Sequence, residues 1–228
     1  MSGPRRIWVT RSEPQAQATA RRLRAMGLEP VVRPLLMVRL RPEAHVDLED
    51  VQAIAFTSGH GVRAFAGLSL ERGLPVFAVG GATAAAARAC GFSDVRVAGG
   101  DVRALAEAIA DAGPRPRRVF NPAALEPAAD LAALLAARGV EVRTIAVYET
   151  IPAPAAAPPD VQAVLVHSPK AARALAALAT PDWAARVSAF AISPAAAQPL
   201  SSPPFARLRV AQTPDEASLL ALLAEAAR

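Results

Sequence analysis

The chain writes one strand-and-turn pattern twice, and no other feature limits its fold so strongly. RRIWVT, beginning at Arg5, matches RRVFNP at Arg117, and the turn glycine Gly27 matches Gly139, both at an offset of 112. AIAFTS and AVLVHS lie 110 apart, VFAVG and AFAIS 113 apart, and VRVAGGDVRAL matches LRVAQTPDEASLL at 113. Five elements in one order, drifting by no more than three residues, mark a duplication of one unit of roughly 110 residues.

Within each copy, continuous apolar runs rich in β-formers alternate with Ala/Leu/Arg runs of helical spacing. That alternation predicts parallel α/β architecture, with helices near Glu13–Met26, Val62–Ala66 and Ala82–Ala89. The repeat leaves two divisions open. One is tandem halves split near Arg115. In the other the first strand–helix pairs are exchanged, so that RIWVTRSEPQAQATARRLRAMGLEPVV completes the C-terminal half and the pair at Val119–Val147 completes the middle one. The proline-containing crossings VVRPLLMVRLRP and VYETIPAPAAAPP suit paired connectors.

Composition narrows the function classes. With 53% hydrophobic and 20% charged residues among 228, the chain supports a real core and is not globally disordered. No run of 18 apolar residues goes without polar interruption, and MSGPRRIWVT has no secretory apolar region, so the expected compartment is the cytoplasm. The lone Cys90 excludes an internal disulfide and a cysteine-based zinc site. The net charge of +5 rests almost wholly on arginine, Lys170 being the one lysine. These charges are scattered, with one tyrosine and two tryptophans to stack on bases, which argues against nucleic acid and suits a small polyanion.

In open parallel sheets, ligands sit beyond the carboxyl ends of the strands. The residues just past those ends are Thr10, Arg11 and Ser12; Thr57, Ser58 and His60; Gly80, Gly81 and Thr83; Ser168 and Lys170; and Ser193. Hydroxyls and first-turn amides there receive carboxylates, and Arg11 adds a bidentate contact. Capping is the competing role of Ser12, Thr57, Ser58 and Ser168, and a tight turn that of Gly80 and Gly81. GGAT lacks the third glycine of a dinucleotide fingerprint, no phosphate-loop motif occurs, and FTSGHG is not a hydrolase elbow. His45, His60 and His167 fall on different elements, without carboxylates at metal-ligand spacing. Tyr148, ending the strand TIAVYET, is open to a core, capping or ligand role.

Taken together, the Thr-Arg pair after the first strand, FTSGHGVRAF, VFAVGGATAAAARACG followed by VRVA, and VEVRTIAVYET resemble the uroporphyrinogen-III synthase family as a divergent member, from about Ile7 to Leu222. The resemblance implies two similar parallel-sheet α/β domains joined by a two-stranded connector, one of them discontinuous: residues 1–36 with 151–228, and an inserted domain at 37–150. On that division the discontinuous domain carries thirteen basic and seven acidic residues, the inserted one twelve and thirteen. The resemblance further implies a cyclising hydro-lyase of tetrapyrrole, porphyrin and haem biosynthesis. Its substrate is hydroxymethylbilane, which closes with loss of water and inversion of the last pyrrole ring.

No metal or organic cofactor takes part in the family's reaction. The implied protein is a cytoplasmic monomer in transient contact with the preceding pathway enzyme, with no nucleic-acid or membrane partner. The residues implied to bind substrate are Thr10, Arg11, Thr57, Ser58, His60, Gly80, Thr83, Ser168, Lys170 and Ser193, while Tyr148 helps the hydroxyl leave as a weak general acid. The sequence departs from the family pattern in five places. His60 stands for Asn; Asn121, Pro122 and Ala123 replace an Arg-Gly segment; Ser193 and Ala196 replace Gly and Thr; LSSPPFARL replaces a helix-to-glycine passage; and SPK replaces SPS at Ser168–Lys170. Two other readings are a non-catalytic tetrapyrrole-binding or scaffold module of the same fold, and a small two-lobed glycosyltransferase-like enzyme. The latter lacks any nucleotide-diphosphate motif.

Overall fold

Strands that are apolar at every position must be covered on both faces, and this places them in parallel ladders. Ala53–Phe56 and Ala163–Val166, buried throughout, are the central examples. The computed structural model describes residues 4–13 and 15–226. The chain opens with β1 (Arg6–Val9), α1 (Gln15–Ala25) and β2 (Glu29–Val32), then runs through β3 (Leu36–Leu40) into β4 (Ala53–Phe56) and α2 (Gly59–Leu68). Next come β5 (Val76–Ala78), α3 (Gly81–Ala89), β6 (Val95–Val97), α4 (Val102–Ala110), β7 (Arg118–Ala124), α5 (Leu131–Ala136) and the long β8 (Glu141–Pro152). The last third contains β9 (Ala163–Val166), α6 (Pro169–Leu178), α7 (Pro181–Ala184), β10 (Ser188–Ala191), α8 (Pro194–Ala197), β11 (Arg207–Val210) and α9 (Glu216–Ala226). Apolar spacing placed a helix at Val62–Ala66; it extends to Gly59–Leu68 because the Ser58 side chain accepts from the Gly61 amide and starts it three residues earlier.

Two compact units result, Met1–Met37 with Ile151–Arg228, and Val38–Thr150. In the first, five strands run in the order β11-β10-β9-β1-β2, every neighbouring pair parallel. In the second the order is β3-β8-β7-β4-β5-β6, parallel from β8 to β6. Bonds from Arg41 N to Val147 O and from Ala153 N to Leu35 O fix β3 antiparallel to β8. These two strands carry the chain between the units. Setting β3 aside, the sheets are copies: β2-β1-β9-β10-β11 superposes in order on β8-β7-β4-β5-β6. In each copy the strand order reverses at one place, between β1 and β9 and between β7 and β4, and α/β sheets offer a ligand crevice at such a reversal.

Each sheet is a packed middle layer. Trp8, Val164, Val166 and Trp183 fill one side of the first sheet, and Ile7, Val9, Leu165, Phe190 and Leu223 the other. In the second, Phe56, Phe65, Phe92 and Phe120 form one side, with Phe56 and Phe65 edge to face at 5.8 Å. Ala55, Phe77, Leu105, Ile109 and Val119 form the other. Among the described residues no helix is long and apolar enough to cross a membrane.

Candidate functional site

In the unit 38–150, the carboxyl end of β4 leads into α2, whose first turn carries Ser58, Gly59, His60 and Gly61. Gly61 is required by a close approach: a Cβ there would stand 2.5 Å from the Pro122 carbonyl oxygen on β7. This contact seats the start of α2 on the strand beside it. Across β7, the register with β8 shifts between Ala123 and Ala124, so that Tyr148 rather than Val147 stands opposite Ala124. The bulge turns Tyr148 toward α2. There its ring packs with Ala64 and Leu68, and its hydroxyl lies 2.8 Å from Ser58 Oγ.

Ser58 Oγ also accepts from the Gly61 amide at 3.1 Å, so its own hydrogen is free for the phenol or a ligand. Tyr148 is 7% exposed. Beside it, the His60 ring lies 5.8 Å away, tilted by 46°. Burial, reinforced by the neighbouring Arg63 charge, holds His60 below the usual imidazole range. Arg63 Nη2 lies 3.1 Å from His60 Nδ1; a guanidinium only donates, so Nδ1 accepts and Nε2 carries the hydrogen. A phenol, a serine hydroxyl and a neutral imidazole therefore meet at one helix start.

On the opposite face of this sheet a cavity of about 700 Å³ opens at the same carboxyl edge. Thr57, Val79, Val102 and Arg103 contribute to its walls, together with Asp101 and Asp130. Those two carboxylates cap α4 and α5 by accepting from Ala104 and Ala133. Gly80, between β5 and α3, has no side chain with which to cap its helix. Thr83 is 6% exposed within the first turn of that helix, packed beneath it rather than held out from the turn.

In the discontinuous unit, the expected serines are helix caps. Ser168 Oγ accepts from Ala171 at the start of α6, and Ser193 Oγ from Ala196 at the start of α8. Both remain half-buried at the carboxyl edge, as does Lys170 in the first turn of α6. Thr10 requires correction as a ligand contact: it is fully buried, and its hydroxyl donates to the Leu165 carbonyl at 2.6 Å, tying β1 to β9. Arg11 is already engaged. Its Nη1 reaches Glu216 at 2.5 Å, Thr19 donates to the other oxygen of that carboxylate at 2.5 Å, and His167 Nε2 lies 3.1 Å from it.

Glu216 was not among the residues singled out from the sequence. Burial pushes its carboxyl up, but hydrogen bonds from His167 and Thr19 and the charges of His167 and Arg11 outweigh this and hold it at about 2. An acidic residue in the first turn of α9 is unremarkable in the sequence. Only the exchanged strand–helix arrangement brings Arg11 to it. Among the described residues, no group of three or more His, Cys, Asp or Glu side chains could hold a metal.

The fold has known relatives. A family model described as uroporphyrinogen-III synthase HemD matches residues 17–221. Among solved structures, this chain is similar to uroporphyrinogen-III synthetase from Helicobacter pylori. The TM-score is 0.63 at 18% identity, over 96% of this chain and 97% of that one. A mutant uroporphyrinogen III synthase from Thermus thermophilus matches with a TM-score of 0.49 at 18% identity, over 97% and 98%. Comparison with curated proteins finds no match. With a family match spanning most of its length and a strand order that repeats across both units, the chain belongs to the uroporphyrinogen-III synthase family.

Proposed function

We propose that the protein is a working uroporphyrinogen-III synthase, closing hydroxymethylbilane to the macrocycle with inversion of the last pyrrole ring. The observation that carries this reading is the Tyr148–Ser58 pair at the carboxyl edge of the six-stranded sheet. In the proposed step the terminal C–O bond breaks with its electron pair on oxygen, and a proton from the Tyr148 hydroxyl lets the group depart as water. The electron-rich pyrrole stabilises the resulting cation. The cation bonds to the substituted α-carbon of the last ring, the bond from that carbon to its old bridge breaks, and the freed bridge carbon bonds to the ring's other α-carbon, whose proton leaves and restores the acid. The net change is the loss of one water.

The substrate supplies its own electrophile and driving force, so the protein's task is to hold the chain in the geometry of inverted closure. Ser58 fixes the direction of the phenol, and neutral His60 adds an N–H donor without a second positive charge. Thr57, Ser168, Lys170 and Ser193 are proposed to receive the substrate's carboxylates at strand ends, where helix starts favour anions. Incubation with freshly prepared hydroxymethylbilane tests the proposal. Macrocycle must form faster than by spontaneous closure; equal rates would reject a catalytic role.

A further inference from the structure

The duplicated sheets allow the two copies to be compared position by position. Asp101 accepts from the Ala104 amide and Asp215 from the Ser218 amide, both at 2.8 Å, so the caps of α4 and α9 correspond and Val102 matches Glu216. Gly27 and Gly139, at φ 75° and 71°, end α1 and the α5 segment alike, which matches Thr19 with Leu131. The pairings Ile7↔Ala163 and Val119↔Ala53 match Arg11 with Ala123, and β9 and β4 match His167 with Thr57. Where one unit has Thr57 and Val102 around an open cavity, with Leu131 buried in the core beneath, the other has four polar side chains joined to one another.

We infer that Arg11, Thr19 and His167 form a receptor for a carboxylate, and that its occupant is the chain's own Glu216. The geometry is that of a ligand site. One Glu216 oxygen takes the guanidinium and the imidazole N–H, the other takes the Thr19 hydroxyl, and the carboxylate-bearing side chain is only 14% exposed. Three donors from two different loops and a helix converge on one anion, in the charge-assisted arrangement that proteins use to bind carboxylates. His167 Nδ1 is buried without a partner in the described structure, so the imidazole is held by Glu216 alone. The duplication has thus become asymmetric. This face of the discontinuous unit is closed by a self-ligand, while the matching position in the other unit stays open to an external one.

The inference stands apart from the synthase reading, and its test needs no turnover. Glu216→Ala deletes a CH2–COO⁻ fragment and leaves a space the size of acetate. The variant's melting temperature is expected to fall on the order of 5 °C. Sodium acetate at about 100 mM should restore much of that loss, saturably and beyond the effect of equal sodium chloride. Wild type should gain no more from acetate than from chloride, and adding Arg11→Met to the variant should abolish the rescue. Equal responses to acetate and chloride, or undiminished rescue in the double variant, would overturn the receptor. Should Glu216→Ala not fold, Glu216→Gln decides. It keeps the shape but not the charge, and melting at the wild-type temperature from about pH 5 to 8 would overturn the inference.

Discussion

Tyr148 and Ser58 are 90 residues apart in the chain, yet their hydroxyl oxygens lie 2.8 Å apart. A bulge in one strand and a glycine-seated helix start in another produce the contact. Replacing the phenol by Phe keeps the ring among Ala64, Val147 and Leu68 and removes only the hydroxyl. Tyr148→Phe should therefore cost about 1 kcal/mol of stability and lower kcat roughly 10- to 100-fold. Ser58→Ala removes both the phenol's partner and the cap of α2, so it should cost more, about 1–2 kcal/mol. Chemical denaturation beside turnover separates the two; wild-type kcat in Tyr148→Phe would remove the phenol from the mechanism.

The close approach of α2 to β7 makes two glycines of one helix opposites. A Cβ at Gly61 meets the Pro122 carbonyl oxygen, whereas one at exposed Gly67 meets nothing within 4 Å. Gly61→Ala is expected to destabilise by about 1–3 kcal/mol, and Gly67→Ala to stabilise by about 0.5–1 kcal/mol. Urea midpoints measure both. Equal midpoints in the two variants would mean that the strand yields freely to the helix.

Acid should reveal the Glu216 cluster. Its carboxyl lies at about 2 in the folded chain against an ordinary 4.5, so between those values the unfolded chain binds the extra proton. The stabilisation is complete above about pH 4.5 and is lost as pH falls through about 2. Glu216→Gln should be less stable near neutrality and lose less between about pH 5 and 3. Denaturation curves at several pH values test this, and parallel losses in the two proteins would contradict it.

We propose that the discontinuous division is also the folding division. Residues 38–150 contain β4, β5, β6 and β7 whole and most of β3 and β8, so this segment alone should unfold cooperatively. Residues 1–115 strand β1 without β9 and should not. Calorimetry of both segments decides between them. A cooperative transition in 1–115 alone would favour tandem halves.

The parallel strands were legible because a doubly buried strand is written as an unbroken apolar run, and the repeat offsets gave their correspondence. The helix starts at Ser58 and Ser168 could be read as well, since a serine before an apolar periodic stretch has a local reason to cap. What local patterns could not carry was the direction and company of side chains. Thr10 and Thr57 look alike as strand-end hydroxyls, but Thr10 points into the sheet and bonds Leu165 while Thr57 lines a cavity. Glu216 and Arg11 are 205 residues apart, and nothing near either one announces the other. Tyr148 reaches Ser58 through a register shift between Ala123 and Ala124 that no residue there signals.

The central claim is that this chain directs closure of the linear tetrapyrrole, and the isomer composition of the product tests it most directly. Spontaneous closure gives the uninverted macrocycle, so the isomer ratio separates guidance by the protein from mere passage of time. Wild-type protein, supplied with freshly made hydroxymethylbilane and followed by chromatographic separation of the oxidised porphyrins, should yield predominantly the inverted isomer. Product with the isomer ratio of the protein-free control would contradict the account.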